Sequence, residues 1–224
     1  MATTKSSNQK SRKTTKSLND KITAAYKEFV LMHGHEPPSV FQFTKELKLA
    51  EDEFYKHYGS FASVKKHIWK GYIANTTEVL HNDVSYSDYS VREKLLSFYY
   101  TLVEVLKKDR SYVLVSLKEL KKTDLTPRFL KDFKSEFKEY IDNLVAEGLE
   151  TEEIMKRPVI TERYYDGLWL QLMFVINFWI KDDSANFEKT DAAIEKSVNL
   201  SFEFMGKGPL DMMVDFAKFL YQNR

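Results

Sequence analysis

From Ile22 onward, apolar residues recur at three- and four-residue spacing with few interruptions, which is the period of a half-buried helix. Little in the chain could divert that pattern. Only 7 Gly and 5 Pro punctuate 224 residues, too few for turn-dense sandwiches or barrels. No two-residue alternation persists long enough to form a strand, so the expected fold class is all-α. The 43% hydrophobic share suffices for a sizeable core. Cysteine is absent, which removes disulfides, zinc ribbons, iron–sulfur ligation and thiol nucleophiles together. The most apolar run, Leu168 to Ile180, is interrupted by Gln171 and Asn177. It is also shorter than the ~18–20 residues a membrane span needs. With no apolar segment at the N-terminus to act as a secretory signal, the expectation is a cytoplasmic protein.

Residues 1–18 lack periodicity and read as a disordered basic arm. Asn19 or Asp20 can cap a first helix with Ile22, Ala25, Tyr26, Phe29 and Val30 inward, ending at Gly34. Ser39-Val-Phe-Gln42 is a capping box for a second short helix, through Leu47. A third spans 51–58, and Gly59-Ser60 separates it from a longer one starting at Ser63. The expected division is therefore an arm (1–18), a three-helix domain (19–62) and a larger helical domain (63–224). In the latter, Ser90-Val-Arg-Glu93 is a second capping box. Thr126-Pro127 opens a helix to about Ala146, Thr151 caps a short one, and Thr161 opens one that is apolar nearly all round. Two last helices, about 187–205 and 209–222, flank Gly206-Lys-Gly-Pro209.

The formal net charge of +1 hides an asymmetry. Residues 1–75 carry 13 Lys/Arg against 7 Asp/Glu, while the remainder carries 21 against 26. Most of the excess sits on Lys5, Lys10, Arg12, Lys13, Lys16 and Lys21, so the positive end is mainly the arm.

Three short helices leading into a larger helical domain is the layout of the tetracycline-repressor (TetR) family, and particular residues carry the resemblance. Ile22, Ala25, Phe29 and Gly34 match the family's first helix, and Ser39-Val40 matches the start of the second. Phe54-Tyr55-Lys56-His57-Tyr58 matches the end of the third, followed by Gly59-Ser60. The match covers roughly residues 20–70. Three departures bear on function. Lys48 stands where the turn glycine is usual, which asks a non-Gly residue to take that conformation or the turn to change type. Ser60-Phe61 replaces the family's Ser-Lys pair. The third helix opens on Glu51-Asp52-Glu53, where a recognition helix meets base edges. Those acids offset the helix dipole, yet they should repel phosphate.

The resemblance implies a DNA-binding transcriptional regulator with double-stranded operator DNA as partner. Ser39 and Tyr55 would then contact phosphates, with Lys45, Lys48, Lys56 and His57 nearby. Lys13 and Lys16 of the arm would follow the backbone or enter a minor groove. It also implies a homodimer whose larger domain binds a small apolar or amphipathic effector. Tyr99, Tyr100, Tyr165, Trp169 and Met173 are candidates to line that site, although an aromatic stripe at helical spacing is equally a core. Ile194, Val198, Phe202, Met212, Phe216 and Phe219 are candidates for the dimer interface. The alternative from another class is a lipid-binding protein that keeps the fold and no longer binds DNA specifically. No enzyme is expected, because no nucleophile elbow or phosphate-binding loop is present. His33-x-His35-Glu36 lacks the shared face a metal needs, so neither metal nor cofactor is expected.

Overall fold

The computed structural model describes residues 17–118, 127–157 and 160–223, and these form ten α-helices and four 3-10 turns with no strand among them. Contacts divide the chain between Phe61 and Ala62 into two units.

The first unit holds α1 (Leu18–His33), α2 (Val40–Glu46) and α3 (Glu51–His57). The cap of α1 is Ser17, earlier than the Asn19 or Asp20 that the sequence suggested. Its Oγ accepts from Asp20 N–H at 3.2 Å while Asp20 Oδ2 accepts from Ser17 N–H at 3.1 Å. That reciprocal pair satisfies two orphan donors at once, so Asp20 serves inside the first turn and leaves the N-cap to Ser17. Gly34 ends the helix at φ 75°, donating to Val30 O at 2.8 Å. Ser39 caps α2 by accepting from Gln42 N–H. Lys48 takes the left-handed conformation itself, at φ 54°, so the turn keeps its type without glycine. Phe43, Phe54 and Phe61 pack edge to face at 5.3–6.2 Å, and Tyr26 stacks on Phe61 at 5.6 Å.

The second unit follows within α4 (Phe61–His81), then α5 (Val91–Lys107), α6 (Arg110–Lys118), α7 (Lys131–Glu150), α8 (Tyr164–Lys181), α9 (Glu188–Met205) and α10 (Pro209–Gln222). The box at Ser90 and Glu93 caps α5 as expected, and Glu153 reinforces it by accepting from Val91 N–H at 3.0 Å. Thr126, expected to open the next helix, lies outside the described residues; a 3-10 turn over Arg128–Leu130 leads into α7. This helix outruns its expected end at Ala146 because Gly148 continues it. A Cβ there would come within 2.6 Å of Ile154 Cδ1, so the glycine marks a close approach. Thr151 consequently ends α7, where the sequence had it opening a short helix.

Two distant arginines add to the local caps of helix ends, where Asp182 N–H donates to Trp179 O and Gly206 N–H to Phe202 O. Arg110 donates to the carbonyls of Trp179 and Ile180 at the end of α8, stacked over the Trp179 and Phe187 rings. Buried Arg157 donates to Phe204, Met205 and Gly206 carbonyls at 2.7–3.1 Å, closing α9. Asp182 in turn starts α9: its carboxylate accepts from Thr190 N–H and Oγ1 and from Ser184 N–H and Oγ. Burial pushes that carboxyl up, but these hydrogen bonds outweigh it and hold the group well below the usual carboxylate range. A depressed folded value means the stabilisation is present above the unfolded pKa of about 4 and is lost as pH falls from there. Asp182→Asn is therefore expected to lower the thermal midpoint between pH 5 and 8, with the gap to the parent protein narrowing in melts below about pH 4.

Candidate functional site

The first candidate surface is the outer side of α2, the Lys48 turn and α3. The phenylalanine core fixes these segments against one another and leaves Ser39, Lys45, Lys48, Tyr55, Lys56 and His57 exposed. Lys13 and Lys16 lie outside the described residues. Glu51 and Asp52 share the exposed surface of α3. Lys56 is bridged to Glu53 and, at 3.5 Å, to Asp52. The Glu53 hydrogen bond and charge raise its pKa. Tyr55 Oη donates to Glu51 Oε1 at 3.4 Å. Exposed pairs of this kind are weak and screened by solvent, so a phosphate can compete for Lys56.

The aromatic residues expected to line an effector site separate. Tyr99 and Trp169 are buried in packed core: Trp169 lies 6.0–6.2 Å from the Phe133 and Phe137 rings, and Tyr99 Oη donates to Leu168 O. Tyr100, Tyr165 and Met173 are half-buried on α5 and α8, with Tyr165 Oη donating to Lys134 O. None of the five lines the cavity between α4, α5 and α7 or the groove between α8 and α9.

The first of these, of about 570 Å³, lies between α4, the 3-10 turn Val84–Asp88, α5 and α7. Ile73 and Thr77 come from α4, Tyr86 from the turn, Lys94 from α5, and Tyr140, Leu144 and Glu147 from α7. Lys94 Nζ pairs with Glu147 Oε1 at 2.6 Å. Tyr140 Oη donates to Lys94 O at 3.0 Å, which leaves it to accept from Tyr86 Oη, also at 3.0 Å. Burial pushes both phenols up, Tyr140 well above the ordinary value, so both are neutral donors at physiological pH. Phe98 stacks on Tyr140 at 4.3 Å and holds the ring in place. Sequence reasoning missed this set. Tyr86 sits in a segment without helical period, and the polar positions of α7 resemble a solvated face.

A third feature is an apolar groove of about 770 Å³ between α8 and α9. Leu170, Phe174 and Phe178 line one side and Ala192, Ala193 and Leu200 the other, with Gln171 Nε2 donating to Ser197 Oγ across the base. Although α8 is apolar nearly all round, it buries Tyr164, Leu168, Trp169, Leu172, Val175, Ile176 and Trp179 on its inner face only. Leu170 and Phe174 remain about half exposed. Ile194 and Val198, candidates for an interface, are fully buried in the protomer's own core, and Phe202 is half-buried. Met212, Phe216 and Phe219 of α10 are 58–70% exposed. Among the described residues no helix is long and apolar enough to cross a membrane.

Comparison with known proteins identifies the family and the fold. A family model described as "Tetracyclin repressor-like, C-terminal domain" matches residues 94–220. No curated protein matches the sequence. Among solved structures, a protein from Shewanella sp. PV-4 assigned to the TetR family of transcription regulators superposes with a TM-score of 0.60 at 12% identity, over 85% of this chain and 98% of that one. A protein of unknown function from Rhodococcus sp. RHA1 gives 0.58 at 11% identity, over 88% and 100%. The TetR family regulator PfmR from Thermus thermophilus gives 0.50 at 17% identity, over 80% and 98%. At these identities the structural likeness speaks for the fold.

Proposed function

The chain belongs to the tetracycline-repressor-like family, and from that premise we propose that it is a DNA-binding transcriptional regulator acting as a homodimer. In this reading α2 and α3 form the operator-reading head, the cavity beside Tyr86, Lys94 and Tyr140 takes a small effector, and the α8–α9 groove meets its counterpart on a second protomer. The observation that carries the reading is the head itself. Its three phenylalanines fix a helix–turn–helix, left-handed turn included, while the outer face of α3 stays open. An effector acts by favouring one of two conformations, and its effect is limited by its differential affinity for them.

The lysines supply phosphate contact in this account, and each contact releases counterions. Lys45→Ala is expected to weaken binding on all DNA sequences alike and to reduce the slope of log affinity against log salt by about 1. Titrations at several salt concentrations check this. The proposal itself is tested by incubating the purified protein with fragmented genomic DNA and sequencing what is retained. Enrichment of a few fragments sharing a two-fold-symmetric element supports it; uniform retention opposes it.

A second reading has one observation in its favour. The exposed start of α3 is acidic, and Lys56 is already engaged by Asp52 and Glu53. A protein that has kept the fold for binding an apolar ligand, without specific DNA recognition, would look like this. It predicts uniform retention of genomic fragments together with lipid carried through purification, which native mass spectrometry detects.

A further inference from the structure

We propose that the cavity between α4, α5 and α7 selects a small amphipathic cation, an alkyl- or arylalkylammonium, over an anion or a neutral molecule of the same shape. The proposal rests on the reading of this cavity as the effector site and adds the charge of its ligand.

The wall carries four carboxylates, Asp83, Glu136, Glu139 and Glu147, against one lysine. That lysine is not available to an incoming anion. Lys94 has a side chain only 10% exposed, and its ammonium is held by Glu147 at 2.6 Å. Removing Glu147 to a ligand would leave a buried charge uncompensated, which is among the costliest changes a protein interior can undergo. Lys94 and Glu147 therefore stay together, and the ligand meets the remaining groups. Glu136 is bridged to Lys70 at 3.0 Å, and Asp83 accepts from Ser85 N–H. Glu139 is exposed on the cavity wall, and its charge, after those of Glu136 and Asp132, helps to raise the pKa of Lys70.

The cavity also contains an internal precedent for the ligand. The Lys94 ammonium lies 5.8 Å from the Tyr86 ring centre as well as against Glu147, so an alkylammonium is already held there by a carboxylate and an aromatic face. A second ammonium at Glu139 would be held by the carboxylate charge of the mouth. Its apolar body would reach the buried side chains of Ile73 and Leu144 beside the Tyr86 ring. A carboxylate or phosphate entering the same mouth would face the excess negative charge with Lys94 already paired.

Isothermal titration of the full chain with three matched probes tests this: phenylbutylammonium, phenylbutanol and phenylbutanoate. The ammonium is expected to bind tightest and the carboxylate about tenfold more weakly or worse. Glu139→Gln is expected to weaken the ammonium about fivefold and leave the alcohol unchanged. Carboxylate binding as tight as the ammonium, or equal changes for ammonium and alcohol in Glu139→Gln, overturns the assignment. If the alcohol or carboxylate binds best and Thr77→Trp abolishes it, the cavity remains a ligand site and only its charge preference falls. If none of the three binds at millimolar concentration, the effector-site reading falls with it.

Discussion

A Phe174→Glu variant is expected to migrate as a monomer in size-exclusion chromatography with light scattering, and to bind duplex DNA at least about a hundredfold more weakly than the parent protein. Phe174 projects from α8 into the open groove with Leu170, Phe178 and Leu200 around it, and about half its surface is accessible in the protomer. The substitution therefore leaves the protomer core intact and acts only where a second copy would cover it. Burying an unpaired carboxylate in an apolar contact costs several kcal/mol, and a symmetric interface meets the cost twice. A monomer has one reading head, so it loses the gain from engaging two half-sites together. The thermal midpoint of the protomer should change little. A variant that stays dimeric would move the interface elsewhere, with the exposed Met212, Phe216 and Phe219 of α10 as the next surface to substitute.

Arg157→Ala should have the largest effect on stability, a loss of about 3–5 kcal/mol measured by urea unfolding. The guanidinium is buried, donates to three consecutive carbonyls at the end of α9 and also to Tyr164 Oη at 2.8 Å. Truncation removes a charge from the interior but takes the fork from those carbonyls; Met205 O keeps Met155 N–H as donor, and a carbonyl left unsatisfied costs about 1–3 kcal/mol. Arg157→Lys should recover only part of the loss, because a single ammonium cannot span the same set of acceptors. Domain stabilities are typically about 5–15 kcal/mol, so the alanine variant would have little margin left.

The contrast between these residues shows what one sequence can disclose. Helical periodicity and the Ser90–Glu93 box are local and legible: α1 to α5 and α8 to α10 fall close to where apolar spacing puts them, whereas α7 runs on to Glu150 past its expected end. At Lys48 the sequence left two outcomes open, a left-handed lysine or a changed turn, and the structure takes the first, at φ 54°. Missed features depend on contacts between distant segments. Arg157 caps a helix end 47 or more positions away, and nothing in its own neighbourhood marks it as buried. The candidate ligand residues illustrate the same point. Tyr99 and Trp169 have the spacing of a binding stripe, but that spacing describes a core equally well, and they lie in the core. Tyr86, Lys94, Tyr140 and Glu147 belong to three separate elements and carry no shared periodicity.

The same physical limit applies to the head. The acids at the start of α3 stabilise the helix N-terminus whatever the helix does, so their presence in sequence separates neither reading. Geometry adds that Lys56 is tied to Asp52 and Glu53 in the free protein, and only nucleic acid can show whether it is released.

The most direct test is fluorescence anisotropy on fragments retained from the genome, titrated over a salt series with excess competitor DNA, for the full chain and a version lacking residues 1–16. The account predicts saturable binding to a few fragments that survives competitor and outlasts removal of the arm, with a shallower salt slope once those lysines are gone. Binding that is equal on every fragment, steeply salt-dependent and lost with the arm would contradict it.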